Sequence, residues 1–441
     1  MKRIKKLFLV TLVLHSAVFS KELTYEEAKK ILLTNNLEIK QAESKVLQAK
    51  YKQLEMVSPW IPKLSSSFRY TMLSRPQLDL SSLPPLQRQL FGSSFPPTLT
   101  SDKLYVANIS ISEVVPLDKF VYSYNIASIQ YEISKKEYEK TKRDVIIKFK
   151  ESFLKTLLAK KSVEVIEKAV EISSENYKVS ESLYKEGRVS YLDFSSAKIN
   201  YLNSKLNLFK IQNNYKLAKE SLKTILCVDY DVDVVGELED FLNDETENLL
   251  EKKFDYDELK KNIVFLPEIT MLELQKRILK NNLNLVRSEL IPSIVVSGSY
   301  DWTVDNYNRP IDEWDDRYSW SIILNIPLFN GGATFAKYKQ VKESIKQIEF
   351  SKQQAKDYFN LELTSLYSTY LQLKDSLLVA QEMFQQAKEN YDVAKSYYLE
   401  GRSSYLELLQ AELNFSNTKI NYYQTLCDYI ITCEKMKKYV R

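Results

Sequence analysis

Most enzyme centres are assembled from histidine, cysteine or paired carboxylates, and this chain of 441 residues offers little of the first two. It has one histidine, His15, and three cysteines, Cys227, Cys427 and Cys433. A lone imidazole excludes the usual Ser-His-Asp and Cys-His arrangements and most zinc or iron ligand sets. The cysteines show no paired spacing, so they make neither a disulfide framework nor a metal clip. Carboxylate or lysine chemistry remains, but no compact catalytic constellation or glycine-rich loop accompanies it. No enzymatic activity, cofactor or resident metal is expected.

Charge narrows the field further. Lys+Arg number 62 and Asp+Glu 58, a formal net charge of +4. The excess lies in Lys2, Arg3, Lys5 and Lys6, with no acid before Glu22, so 58 basic and 58 acidic residues remain from residue 21 onward. A neutral body argues against nucleic-acid binding. Residues 1–20 read as a secretory signal peptide: a basic start, the apolar run Leu7 to Leu14, then small residues near Ala17 and Ser20. The mature start is expected near Lys21. That apolar run is too short to cross a bilayer of about 30 Å. No other long apolar run follows, and the mean hydropathy is −0.33. Entry into a membrane would therefore use strands.

The elements that must position any functional residue are written twice. Gly187 and Gly401 lie 214 residues apart in matching surroundings: Tyr184-Lys185-Glu186-Gly187-Arg188-Val189-Ser190-Tyr191-Leu192 aligns with Tyr398-Leu399-Glu400-Gly401-Arg402-Ser403-Ser404-Tyr405-Leu406. Ile61-Pro62 matches Ile291-Pro292, and Val115-Pro116-Leu117 matches Ile326-Pro327-Leu328. A tandem of two long units follows, 21–226 and 263–441. Between them, 227–262 is strongly acidic and is read as a partly ordered belt. Asp229 to Glu258 holds thirteen acids against Lys252 and Lys253.

Inside the proline brackets the hydrophobic period is two. Leu64, Phe68, Tyr70 and Met72 alternate with Ser65, Ser67, Arg69 and Thr71, and Ile294, Val296, Tyr300, Trp302 and Val304 with Ser297, Ser299, Asp301 and Thr303. Hairpins are expected over 63–115 and 293–326, with polar tips at Pro76–Asp102 and Asp305–Asp316. Strands of about ten residues with one aromatic-bearing apolar face suit a membrane β-barrel. Four strands cannot close one, so several chains must share it: two give eight strands, three give twelve.

The remainder is mostly helix, with short helices expected at 24–58 and 267–290. Leu117–Lys185 and Gly332–Glu400 lack proline, and each helix would be roughly 100 Å long. Heptad seams run through Leu366, Tyr370, Leu373, Leu377, Ala380, Phe384, Ala387, Tyr391, Ala394 and Tyr398. They return through Leu406, Leu409, Leu413, Ser416, Ile420, Tyr423, Cys427 and Ile430. Cys427 is thus a packing residue. Gly187 and Gly401 mark the hairpin tips. The fold class is mainly α, long coiled-coil hairpins, with four membrane strands per chain.

The duplicated tip Tyr-x-x-Gly-x-x-Ser-Tyr-Leu-Asp/Glu, the Pro-bracketed strand pairs and the helix starts Asn36-Leu37-Glu38-Ile39 and Leu266-Pro267-Glu268-Ile269 together resemble the TolC family of outer membrane efflux channels. The resemblance covers essentially the whole mature chain. It implies an outer membrane homotrimer, a twelve-stranded β-barrel continuing into a periplasmic α-barrel tunnel. It also implies a periplasmic adaptor and an inner membrane pump as partners, in tripartite efflux or type I secretion. In the family the second hairpin coils inward to close the periplasmic end. Tyr398 and Asp193 match its latch, and a phenol–carboxylate bond between them is expected. Glu407 matches an acidic entrance ring; a second acid is replaced by Gln410, and a latch arginine by Ser403, with Arg402 preceding it. Gly187, Arg188, Ser190 and Leu192, with Gly401, Arg402, Ser404 and Leu406, match the adaptor-docking tips. The competing reading is a structural coiled-coil protein of the envelope with no transport role.

Overall fold

The computed structural model describes residues 21–72, 103–115, 118–242, 253–304, 308, 310–400 and 402–440. The leader at 1–20, the loop tip at Pro76–Asp102, Pro116, Leu117, residues 243–252 of the acidic segment and Gly401 lie outside the described residues.

The chain begins with β1 (Lys21–Leu23), α1 (Tyr25–Asn35) and α2 (Leu37–Glu55), then the strands β2 (Lys63–Met72) and β3 (Lys103–Val115). Helices α3 (Lys119–Lys185) and α4 (Tyr191–Leu226) follow, then β4 (Val232–Val234) and α5 (Tyr256–Asn262). The second half repeats the order: α6 (Pro267–Arg287), β5 (Ser293–Val304), β6 (Asp315–Asn325), α7 (Ala333–Leu399) and α8 (Tyr405–Met436). Both α3 and α7 are 67 residues long.

Two details differ from the expected boundaries. The single helix expected over 24–58 is broken at Asn36, whose side chain donates to the Ile225 carbonyl at 2.9 Å and accepts from Ile39 N–H at 3.1 Å. That side chain thereby caps α2, which restarts the helix. Asp315 and Asp316, expected in a loop tip, open β6; there the Tyr300 hydroxyl donates to Asp316.

The contacts divide into two compact units. One takes in the described residues of Met1–Ser44, Lys136–Thr270 and Gln353–Arg441. Its core gathers Leu32 of α1, Phe149, Phe153, Leu154 and Leu157 of α3, Leu222 and Leu226 of α4, and Tyr429, Ile430 and Cys433 of α8. Tyr25 stacks on Phe149 at 5.5 Å and meets Phe153 and Phe241 edge-on. The parallel pairing of β1 with β4, from Lys21↔Val232 to Leu23↔Val234, holds part of the acidic segment against this core. Lys150 and Glu434 form an ion pair of 2.7 Å with both side chains largely buried. Burial opposes the ionised Glu434 carboxylate, yet Lys150 and Lys437 outweigh it and hold the group below its ordinary value.

The seam on α7 is as the heptads place it: Tyr370, Leu377, Ala380, Ala387 and Tyr391 are buried, and the intervening seam residues are half-buried. On α8 the seam diverges near its start. Leu406 and Leu413 are exposed, and Leu408 and Glu412 face inward beside the seam residue Ser416. The stripe that holds from Ser416 through Cys427 to Ile430 gives way over the first two turns of α8, where Leu408 and Glu412 are buried.

The second unit comprises Lys45–Lys135 and Met271–Lys352. Its sheet is antiparallel in the order β2-β3-β5-β6. Ile129 and Ile133 of α3 pack on Leu274 of α6 in a small cluster. In the sheet, register stacks Ser65↔Ser110↔Ser299↔Ser319 and Ser67↔Asn108↔Asp301↔Arg317 across all four strands on one face. Hydroxyls join there, Ser65 to Ser110 at 2.8 Å and Ser299 to Ser319 at 2.9 Å. The opposite face carries Leu64, Phe68, Ile109, Ile111, Trp302, Tyr318, Trp320 and Ile322. Trp320 lies over Gly298, where a Cβ would come within 2.9 Å of its ring. This apolar face stands open, with Leu64 75 % and Trp320 74 % exposed. No helix among the described residues is long and apolar enough to cross a membrane. An exposed apolar sheet face of strand length is the face that lipid covers.

Candidate functional site

The residues singled out in the sequence gather at the two helical turns. At the first, Gly187 has φ +72°, a left-handed conformation that glycine adopts without steric cost. The N–H of Gly187 donates to the Tyr184 carbonyl and that of Arg188 to the Leu183 carbonyl, both at 2.9 Å, which satisfies the end of α3. At the second, Arg402 N–H donates to the Tyr397 carbonyl at 2.8 Å. The arginines are treated alike: Arg188 pairs with Glu186 at 3.5 Å and Arg402 with Glu400 at 3.0 Å, all exposed. The Arg402 guanidinium also lies 5.0 Å from the Tyr397 ring centre. Leu192 and Leu406, equivalent in the repeat, are 74 % and 71 % exposed. Each turn thus presents a backbone corner, an arginine and a bare leucine.

The returning helices open differently. Ser190 caps α4: its hydroxyl accepts from Asp193 N–H at 3.1 Å, and the Asp193 carboxylate accepts from the Ser190 hydroxyl at 2.7 Å and its N–H at 3.3 Å. This is a full capping box. Ser404 caps α8 by accepting from Glu407 N–H at 3.4 Å, but the Glu407 side chain does not return the bond. Glu407 and Gln410 stay exposed, and among the described residues Glu407 forms no ion pair. Replacing Ser190 with Ala is expected to destabilise the start of α4 by about 1 kcal/mol. Faster amide exchange over residues 191–196 would register it.

The expected Tyr398–Asp193 hydrogen bond is not made among the described residues. The capping box draws the carboxylate onto its own helix, as the bonds to Ser190 show. The two groups still feel each other. Burial chiefly, and the Asp193 charge second, push the Tyr398 phenol above its ordinary value. The ring of Tyr398 meets Tyr405 edge-on at 6.1 Å. The link between hairpins falls instead to Asn200 of α4, whose amide donates to the Tyr405 hydroxyl at 3.5 Å. Ser403, at the latch-arginine position, buries its hydroxyl without a hydrogen-bond partner.

One group went unnoticed in the sequence. Glu412 of α8 is 2 % exposed, with Oε2 buried and unpaired. Burial pushes its carboxyl up to about 7. Its spacing of four from both Leu408 and Ser416 was the available signal, hidden by a heptad frame that ran through Leu409 and Leu413.

No curated protein matches the chain in sequence. Solved structures share its fold. A membrane protein from Pseudomonas aeruginosa is 14 % identical with a TM-score of 0.76, over 94 % of this chain and 93 % of that one. The Campylobacter jejuni CmeC outer membrane channel is 16 % identical with a TM-score of 0.73, over 94 % and 84 %. The Neisseria gonorrhoeae MtrE outer membrane channel in its open state is 14 % identical with a TM-score of 0.72, over 94 % and 88 %. The outer membrane efflux protein family matches residues 29–227 and 266–438, nearly all of both repeats. With its paired helical hairpins and its four-stranded, lipid-facing sheet, the chain belongs to the outer membrane efflux protein family.

Proposed function

We propose that three copies of this chain close a twelve-stranded barrel over a helical tunnel, and that this conduit carries cargo delivered by an inner membrane pump through a periplasmic adaptor. The observation that carries this reading is the sheet order β2-β3-β5-β6, with edge strands β2 and β6 and one apolar face. Unpaired strand edges are not tolerated in hydrocarbon, so each β6 must find the β2 of another copy. The serine-rich face then lines the water path. Residues 1–20 serve as the export signal, and each repeat supplies one membrane hairpin and one tunnel hairpin.

In this reading the tips bearing Gly187, Arg188, Ser190 and Leu192, and Gly401, Arg402, Ser404 and Leu406, receive the adaptor. Arg188 and Arg402 are exposed and Leu192 and Leu406 bare, which suits tip-to-tip docking. Cross-linking to the co-expressed adaptor from Arg188→Cys or Arg402→Cys is the test of this surface. Tyr398, Asp193 and Ser403 form the closing region, and Glu407, repeated three-fold, concentrates negative charge at the entrance beside Gln410.

Outer membrane fractionation followed by planar-bilayer recording tests the whole reading. A trimer that conducts supports it; a soluble protein without conductance returns the chain to a structural role. Glu407→Ala is expected to lower the preference for cations over anions while leaving assembly intact. Reversal potentials in a salt gradient measure that change, and an unchanged potential removes Glu407 from the entrance.

A further inference from the structure

A carboxylate without water, ion pair or hydrogen bond is a costly thing to leave inside a helical bundle. Glu412 has one carboxylate oxygen in that position. It sits two turns into α8 from the second tip, between Leu408 and Ser416, both buried. Its Oε2 has no hydrogen-bond partner, and it takes part in no ion pair among the described residues. The buried Tyr391 of α7 and the half-buried Tyr405 of α8 both feel its charge. Glu175 of α3 and Asp392 of α7 act on Tyr391 in the same sense, and Asn200 of α4 donates to Tyr405. Among the described residues the surroundings thus add negative charge and aromatic surface but no cation. The equivalent position of the first repeat, Lys198, is exposed. The burial is therefore a property of the second hairpin alone.

We propose that Glu412 is a proton-operated lock on the second hairpin: neutral, it lets α8 lie closed against its neighbours, and ionised, it drives α8 to turn it out to water and loosen the tip. This rests on the reading of the chain as a tunnel whose helical end opens and closes. The sign follows from the burial. A carboxyl pushed up to about 7 in the packed state, against an ordinary value of 4.5, favours packing at low pH. The advantage fades as pH rises from the ordinary value and is gone above the raised one. The tip is closed in acid and loosened in alkali.

Amide hydrogen exchange over residues 405–420 of the full-length trimer tests the lock directly, comparing wild type with Glu412→Gln at the same pH so that intrinsic exchange chemistry cancels. At pH 4, below both the ordinary and the raised value, the two should match closely. At pH 8 the wild type should exchange faster, by about tenfold for each unit of pKa displacement that the opening relieves. Glu412→Leu, which fills the site without a polar group, should match the Gln variant, showing that the amide itself does not disturb packing. Spontaneous opening in planar bilayers should rise with pH in the wild type and stay flat in both variants. A wild-type ratio that does not change between pH 4 and 8, or variants that keep the full pH step, overturns the lock. Exchange reads the hairpin without conduction, so a trimer that shows the exchange difference and carries no current keeps the lock and removes the channel.

Discussion

Ile109→Arg is expected to abolish accumulation of the trimer in the outer membrane. Ile109 is the central residue of the thirteen-residue β3 and stands on the apolar face, across from Ser66 and Tyr300. An arginine at the midplane of a lipid-facing strand costs about 2–4 kcal/mol, and in a three-fold assembly that burden recurs in every copy. The sum is comparable with the whole stability of an ordinary domain. The neighbouring substitution Ser110→Arg is the control, because Ser110 points to the hydroxyl-bearing face opposite Ile109. It should assemble and alter conductance instead. Heat-modifiable trimer in outer membrane fractions measures both. Equal loss from the two variants would mean that lipid is not the medium of the apolar face.

Phe153→Ala is the second large effect. Phe153 is 0 % exposed and meets three aromatic rings, Tyr25, Phe149 and Phe241, at 5.5, 6.0 and 6.1 Å. Truncating a buried phenylalanine costs about 3–5 kcal/mol, the spread reflecting how far the site collapses. Collapse is restricted here because the partners come from three separate segments. Tyr25 begins α1 just after β1, and Phe241 lies in the acidic segment beyond β4. The loss should therefore loosen the β1–β4 pairing as well, since both strands pack beside this cluster. Thermal unfolding in detergent should show a large fall in midpoint, and proteolysis should now cut near 227–242. A midpoint within a degree or two of wild type would contradict the packing.

The architecture was legible because its signals are periodic. Alternation between Pro62 and Pro116, and again between Pro292 and Pro327, marked strands whose length matches β2, β3, β5 and β6 closely. The paired tips were readable because Gly187 carries a backbone conformation that other residues resist. What escaped was a local change of the buried face: the α8 seam is correct from Ser416 to Ile430 and wrong at Leu413, beside which Glu412 faces inward. Local competition escaped as well. Asp193 was read as part of a latch and Ser190 as part of a docking tip, but Ser190-x-x-Asp193 is first a helix-capping sequence, and the cap claims the carboxylate. Asn36 broke a helix for the same kind of reason, since its side chain bonds both the next helix and the Ile225 carbonyl.

The pairing of β3 with β5, from Tyr105↔Val304 to Val115↔Ile294, is a seam between the two repeats inside one polypeptide. In the ring of six hairpins proposed for three copies, every second seam is then tethered, forming at the high local concentration of linked segments rather than by collision. Only the β6-to-β2 seams await an encounter between chains. Assembly becomes a three-body problem where separate hairpins would face a six-body one, and its dependence on chain concentration is correspondingly shallower. Duplication of the sequence is thus also a statement about kinetics: a ring that must close in a thin, crowded membrane has half of its joints made before the copies meet.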